Sequence, residues 1–405
     1  MQLFVVGAGY VGLPLAVTTA MSGFKVTAFD VDKGKILKLK QGFTQVPGIS
    51  TSQLLQLQSS GQLSFTSELV KQKEKAIYVI AVPTPLTPEK LPDLKMLRAA
   101  SESIAHIVSE GSLIINESTS YVGSLRGFIK PIIDDIANLN EINYAVAPER
   151  IDPGNTKWSI RNTPRIVSGI TKKAIEEAEL FYRNFCDDIH IVSTPEVAEA
   201  AKLVENTFRQ VNIALVNELS EIAYSLKFSI YEAISAAATK PYGFMPFYPS
   251  IGVGGHCIPI DPSYLKYSAE LAGGSANIIE LANQVNWSTP KNIANRIKEV
   301  LGGQVTGKKI QLAGIAYKPN IADTRESPAL ELIRELQELG GIISWHDPLI
   351  GESDIPGGDD LQINLDLGLI VTPHDQIDFT KWKTSNVKVL DLSASPKNFG
   401  WPKFL

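Results

Sequence analysis

The sequence predicts an α/β chain: two doubly wound domains joined by a helical middle that contains one long central helix. Three observations carry this reading. Short β-rich runs alternate with helical patterns through the first half of the chain. The alternation stops after residue 194, where PEVAEAAKLVENTFRQVNIALVNELSEIAYSLK runs on with no internal Gly or Pro. It resumes in the C-terminal part. The domains drawn on these shifts are residues 1–194, 195–298 and 299–405.

In the first domain, strands are expected at residues 3–6, 25–29, 76–82, 113–116, 144–147, 165–167 and 189–192. Strands alternating with helices in this way form a parallel sheet. Residues 1–24 contain no charged side chain, which invites a signal-peptide or membrane reading. No Lys or Arg precedes the apolar run, however. Gly7, Gly9 and Gly12 follow the strand-like LFVV, and Pro14 comes two residues later. The segment reads as a buried strand and helix joined by a glycine turn. No other stretch is long and apolar enough to span a bilayer.

The middle opens with Thr194, a suitable N-cap, and Pro195, which suits the first helical position. Val197, Ala201, Val204, Phe208, Val211, Leu215, Leu219 and Ile222 recur at helical spacing. A helix of about 30 residues is ~45 Å long. That length fits a link between domains or a subunit interface. Further on, KKIQLAGIAYK, GIISWHD, LGLIVTP and VKVLDLS read as strands, and SPALELIRELQELG as a helix ending in glycine.

Composition narrows the class. A chain of 405 residues with 44% hydrophobic and 20% charged residues is an ordinary globular protein with room for a large core. A net charge of −5 argues against nucleic acid as the main partner. Two cysteines do not make a disulfide framework, so a reducing cytoplasm is expected.

Gly7-Ala8-Gly9-Tyr10-Val11-Gly12 follows a strand and opens a helix, and Asp30 ends the second strand 18 residues after Gly12. That context is the dinucleotide fingerprint of a Rossmann-like domain. Gly7 permits the tight turn, Gly9 the approach of the pyrophosphate and Gly12 close helix–strand packing. Asp30 is placed to accept from ribose hydroxyls and to repel a 2′-phosphate, so NAD is expected rather than NADP.

Lys202 and Asn206 lie at i, i+4 on the long helix. Aimed at one point, a lysine and an amide stabilise an oxyanion; on spacing alone, a solvated helix face carries the same pair. Cys257 sits in GVGGHCIPIDP, where glycines let backbone approach a ligand and Asp261 follows four residues on. These residues alone leave it as a nucleophile or a small buried thiol. Cys186, in FYRNFCDD, reads as the latter. Five scattered histidines show no ligand spacing, so no metal is expected.

GAGYVGLPLA, APERIDPGN, KLVENTFRQVNIALVNE, GVGGHCIPIDP and GIAYKPNIADTRESPAL together resemble the UDP-glucose/UDP-N-acetylhexosamine/GDP-mannose dehydrogenase family. The likeness runs through essentially the whole chain in the same order. It implies an NAD-binding first domain, a central domain with the cysteine loop and a C-terminal UDP-sugar domain. It implies oxidation of a nucleotide-sugar C6 hydroxyl to a carboxylate with two NAD reduced in turn. Cys257 resembles the family's nucleophile, which passes through a thiohemiacetal and a thioester, and Lys202 is its candidate electropositive neighbour.

By the same resemblance, Lys202 and Asn206 match the oxyanion-stabilising pair and Asp261 the aspartate that handles water and protons. Thr119 matches a water-positioning threonine and Glu149 a glutamate for acid/base work in hydrolysis. The cofactor pocket is expected to include Val82, Pro83, Thr84, Ser118 and Arg325. Lys318, Tyr242, Phe244, Gly254 and Arg150 are expected at the UDP-sugar. Pro153 stands where the UDP-glucose branch has a second glutamate, and GGHC stands for GGSC. PERIDPGN and KPYGFMPFYPSIGVGGHCIPIDP look instead like the branch acting on UDP-N-acetylglucosamine or UDP-N-acetylgalactosamine. The alternatives are a UDP-glucose or UDP-N-acetylmannosamine enzyme of the same mechanism, a binding regulator on an inactive scaffold, and a one-step 3-hydroxyacid dehydrogenase. A cytoplasmic homodimer built on the long helix, supplying uronic acids for surface polysaccharide, is the expected setting.

Overall fold

The computed structural model describes residues 2–152, 155, 157–351, 357–358, 360–395 and 397–405. Pro153 lies outside the described residues. The chain forms two compact units: Met1–Glu205 with Ser263–Gly274, and Asn206–Pro262 with Ser275–Leu405.

The first unit is built on an eight-stranded sheet. Its strands are β1 (Gln2–Val6), β2 (Lys25–Phe29), β3 (Leu63–Thr66), β4 (Ile77–Ile80), β5 (Leu113–Asn116), β6 (Asn143–Val146), β7 (Arg165–Gly169) and β8 (Ile189–Ile191). They run in the order β3-β2-β1-β4-β5-β6-β7-β8. The helices between them are α1 (Gly12–Met21), α2 (Lys33–Lys40), α3 (Thr51–Ser59), α4 (Lys95–Ala105), α5 (Lys130–Ala137) and α6 (Lys172–Tyr182). Strand β1 shows why the sheet needs two helical layers. Its Leu3 and Val5 enter one apolar core, and Phe4 and Val6 enter a second. A strand buried on both faces reads as a continuous apolar run, which is how the charge-free N-terminus is spent.

Strands β1 to β6 are parallel, as the alternation predicts, but β7 pairs antiparallel to β6. Among the described residues no helix separates β6 from β7. A parallel pair needs a crossover, usually helical, and an antiparallel pair does not.

The long helix α7 (Pro195–Leu226) is continuous and crosses the division between the units. Thr194 caps it as expected, its hydroxyl oxygen accepting from the Val197 N–H at 3.4 Å. After α7 come α8 (Ile230–Ala237), α9 (Asp261–Leu271), α10 (Asn277–Val300), β9 (Lys309–Ala313), α11 (Pro328–Glu338), β10 (Ile342–His346), β11 (Leu367–Ile370), α12 (Thr380–Lys383) and β12 (Val389–Asp391). All belong to the second unit except the part of α9 from Ser263 on, which belongs to the first. Buried amides register α7 against α10. Gln210 donates to Asn283 at 2.7 Å, and Asn217 donates to Asn286 at 3.2 Å. The four C-terminal strands are parallel in the order β10-β9-β11-β12.

The two sheets repeat one device. Gly7 after β1 and Gly314 after β9 both have positive φ, and a Cβ on either would strike a carbonyl of the neighbouring strand's extension. The Asp30 carboxylate, just after β2, accepts from the Ala8 N–H; the Asp347 carboxylate, just after β10, accepts from the Ile315 and Ala316 N–H groups. Asp347 is further tied to buried His374 at 2.9 Å. Burial alone would raise the Asp347 carboxyl, but the His374 and Ile315 hydrogen bonds hold it below the usual range.

Candidate active site

The three glycines of the first turn have separate jobs. A Cβ on Gly7, whose φ is +104°, would come within 2.4 Å of the Ala81 carbonyl oxygen. A Cβ on Gly12 would meet the Gly7 carbonyl oxygen at 1.8 Å. At Gly9 a Cβ would meet nothing within 4 Å. That opening lies at the start of α1, whose first turn has no side-chain cap, so its N–H groups are suited to a pyrophosphate. Tyr10 and Val11 are half-buried beside it.

Asp30 is held in place. Its Oδ2 accepts from the Ala8 N–H at 3.0 Å and from Lys35 Nζ at 2.7 Å, and its Oδ1 accepts from the Asp32 N–H at 3.0 Å. A carboxylate has about four acceptor positions, which leaves one for a ribose hydroxyl. These residues fit NAD, which when bound takes hydride from the carbon being oxidised.

The ends of β4 and β5 are stitched together beside the turn. Ser118 Oγ accepts from the Val82 N–H and donates to the Val82 carbonyl, both at 2.8 Å. Thr84 Oγ1 donates to the Thr119 carbonyl at 2.7 Å, while Pro83 is exposed. Glu149 is half-buried and accepts from the Ile151 N–H. The Arg150 guanidinium is engaged within the unit, with Glu205 at 2.5 Å and the Pro164 carbonyl at 2.7 Å.

Lys202 is buried on α7, one turn before Asn206. One turn earlier on the same helix, Glu199 accepts from the Gly123 N–H at 2.6 Å, Ser124 Oγ at 2.8 Å and the Leu125 N–H at 2.9 Å. It thereby pins the segment carrying Thr119 to the helix carrying Lys202. The sequence reading did not single out Glu199, although an acid three residues before Lys202 on a helix full of alanine was the available signal.

The second unit brings Asn206, Asp261 and Cys257 together. Asn206 Nδ2 donates to Asp261 Oδ2 at 2.5 Å. Asp261 is buried at the first turn of α9, and its N–H donates to the Cys257 carbonyl at 2.8 Å. Cys257 is exposed on that turn. Cys186 is buried, its thiol 3.4 Å from the Ile160 carbonyl, and burial pushes its pKa up.

At Gly254 and Gly255, before Cys257, the side on which a Cβ would stand is filled by protein. A Cβ on Gly254 would lie 2.8 Å from both Pro328 and Tyr317, and one on Gly255, at φ +85°, would lie 2.7 Å from the Tyr317 ring. They seat the cysteine loop against its own unit. Arg325 anchors the loop too: its carbonyl accepts from the Gly255 N–H at 3.1 Å, and its guanidinium pairs with Asp323 at 2.6 Å. Burial, then the Arg325 charge, hold the His256 imidazole below its ordinary pKa, so it is neutral at pH 7.

A cleft of about 290 Å³ opens at the carboxyl ends of β9, β11 and β12, lined by Ser250, Tyr317, Pro328, Thr372 and Ser393 among others. It lies where the strand order reverses, the usual ligand position in an open parallel sheet. Lys318 follows Tyr317 directly. Tyr242 and Phe244 are exposed and are not part of the lining.

Three family models match in series. The NAD binding domain of the UDP-glucose/GDP-mannose dehydrogenase family covers residues 1–186, its central domain residues 196–288 and its UDP binding domain residues 311–394. The chain belongs to this family. It is an NAD-dependent UDP-sugar dehydrogenase, an oxidoreductase. It is 35% identical over 361 residues, 87% of this chain and 84% of the relative, to the UDP-N-acetyl-D-glucosamine 6-dehydrogenase of Pseudomonas aeruginosa. It is 34% identical over 351 residues, 84% of this chain and 81% of the relative, to an NDP-N-acetyl-D-galactosaminuronic acid dehydrogenase of Ralstonia nicotianae. Among solved structures, the UDP-D-ManNAc dehydrogenase of Pyrococcus horikoshii superposes with a TM-score of 0.87 at 30% identity, covering 99% of this chain and 98% of that one. Within this family fold, the glycine turn belongs to the NAD binding domain, and the 290 Å³ cleft is lined mostly by the UDP binding domain, with Ser250, Ile251 and Gly252 coming from the central domain.

Proposed function

We propose that the chain oxidises the C6 hydroxyl of UDP-N-acetylglucosamine or UDP-N-acetylgalactosamine to the uronic acid in a four-electron reaction. Cys257 is the nucleophile. The exposed position of Cys257 on the turn into α9, beside the Asn206–Asp261 bond, is the observation that carries this reading. The C6 alcohol loses a hydride to NAD and a proton to water to give the aldehyde. The Cys257 sulfur adds to the aldehyde carbon as its proton passes to the aldehyde oxygen. Loss of a second hydride to a second NAD, with the hydroxyl proton going to water, turns the thiohemiacetal into a thioester. Water cleaves the C–S bond, releasing carboxylate and restoring the thiol. The covalent link holds the aldehyde while NADH is exchanged for NAD.

In this scheme Lys202 and Asn206 face the oxyanion, Asp261 handles protons beside the sulfur, Thr119 holds water and Glu149 assists hydrolysis. Gly7, Gly9, Tyr10, Val11, Gly12, Asp30, Val82, Pro83, Thr84, Ser118 and Arg325 serve NAD. Arg150, Tyr242, Phe244, Gly254 and Lys318 serve the sugar nucleotide. The test is a panel of UDP-N-acetylglucosamine, UDP-N-acetylgalactosamine, UDP-N-acetylmannosamine and UDP-glucose, compared by kcat/KM. Preference for the first two supports the branch. Preference for either of the others keeps the chemistry and replaces the substrate.

The setting proposed is a cytoplasmic homodimer. Val197, Val204, Phe208, Leu215 and Ile222 are all exposed along α7. An apolar stripe of that length is suited to the same stripe of a second copy related by a two-fold axis. Sedimentation at micromolar concentration should give twice the 44.1 kDa chain mass; a monomer contradicts the pairing.

A further inference from the structure

A buried charge cluster lies under the turn that carries Glu149. Glu117 follows β5 and Arg165 opens β7, and their side chains are 1% and 4% exposed. Glu117 Oε2 is 3.4 Å from Arg165 Nη1, and the Tyr182 hydroxyl donates to Glu117 Oε1 at 2.5 Å. The Arg165 guanidinium lies 5.1 Å over the Tyr182 ring. Replacing a buried ion pair by apolar residues of similar size is often neutral or stabilising. Sheet stability therefore gives no account of why charge is kept here.

The direction of the hydrogen bonds does. Arg165 Nη1 faces the carbonyls of Ala147 and Pro148, at 3.4 and 3.5 Å. These are the two residues immediately before Glu149. From the other side, the Glu117 carbonyl accepts from the Glu149 N–H at 3.2 Å. The backbone leading into Glu149 is thus gripped by both members of the pair. Burial pushes the Glu117 carboxyl pKa up, and Arg165 opposes this by favouring the charged form.

We propose that Glu117 and Arg165 are positioning residues that hold the Ala147–Pro148–Glu149 turn so that the Glu149 carboxylate is aimed at the reacting centre. The inference rests on the role given to Glu149 above. A misplacement of about 1 Å at a catalytic group costs on the order of 100-fold in rate, so the clamp acts through kcat and leaves both binding steps alone.

The test is a kinetic cycle on the full chain, run with NAD and the UDP-sugar turned over fastest in the panel above. One arm is Glu117→Gln/Arg165→Met, which removes both charges together and strands neither. The second is Glu149→Gln, and the third combines all three changes. Circular dichroism and Tm establish folding of each. The expected result is that the pair variant loses at least about 10-fold in kcat with both KM values unchanged. It should lose nothing more once Glu149 is Gln. Losses that multiply in the combined variant, or a pair variant with wild-type kcat, overturn the clamp while leaving Glu149 its role. A Glu149→Gln variant with wild-type kcat removes that role and the clamp with it. Should the pair variant not fold, Tyr182→Phe takes its place in the same cycle. It deletes only the donor to Glu117, and its kcat loss should likewise vanish in the Glu149→Gln background; a loss that persists there overturns the proposal.

Discussion

The Asn206 amide donates to the Asp261 carboxylate at 2.5 Å. One bond thus joins the long helix to the start of α9, four residues after Cys257. It fixes which way the amide faces and gives the buried carboxylate a partner. Asn206→Ala leaves Asp261 with one fewer donor and removes the oxyanion contact proposed for Asn206. The expected outcome is a fall in kcat of about 10²- to 10³-fold, read from the steady-state rate of NADH formation, in a protein that still folds. A variant within about threefold of wild type would separate Asn206 from the chemistry.

The glycine turn makes opposite predictions for two neighbours. Gly12→Ala places a Cβ 1.8 Å from the Gly7 carbonyl oxygen, so it should lower Tm sharply or prevent folding. Gly9→Ala meets no protein atom within 4 Å. It should keep a Tm close to wild type and weaken NAD binding by at least about tenfold, measured by calorimetry. Equal damage to Tm from both changes would contradict the division of labour drawn here.

Glu199 gives stability a pH dependence whose sign can be worked out. Burial pushes its carboxyl from the usual 4.5 up to about 7, although three hydrogen bonds favour the charged form. Between those values the folded chain holds a proton that the unfolded chain has lost. The contribution is therefore complete below the unfolded value and disappears as pH rises through about 7. Glu199→Gln cannot ionise. Wild-type Tm minus variant Tm should fall as pH goes from about 5 to 8, and parallel curves would contradict it.

Much of this was legible in the sequence because it is carried by residues whose backbone demands are local. Gly7, Gly9 and Gly12 with Asp30 fixed the first unit, and Thr194-Pro195 marked the start of α7 to the residue. The edge strand β3 (Leu63–Thr66) was missed, because its four residues alternate buried and exposed too briefly to stand out. The antiparallel β7 was missed because pairing direction depends on what lies between strands. The Glu117–Arg165 pair was invisible for a related reason. Its members lie 48 positions apart in the numbering, and only the β5-β6-β7 order brings them together. The seating of Gly254 and Gly255 against Tyr317 was invisible too, because Tyr317 lies some 60 residues later.

The central claim is that Cys257 carries the substrate covalently between two oxidations. The decisive measurement is NADH formed per UDP-sugar consumed at completion, for wild type and Cys257→Ser side by side. The account predicts about two NADH per sugar for wild type, with this four-electron turnover abolished in Cys257→Ser. One NADH per sugar from wild type, or two from Cys257→Ser at a comparable rate, would contradict it.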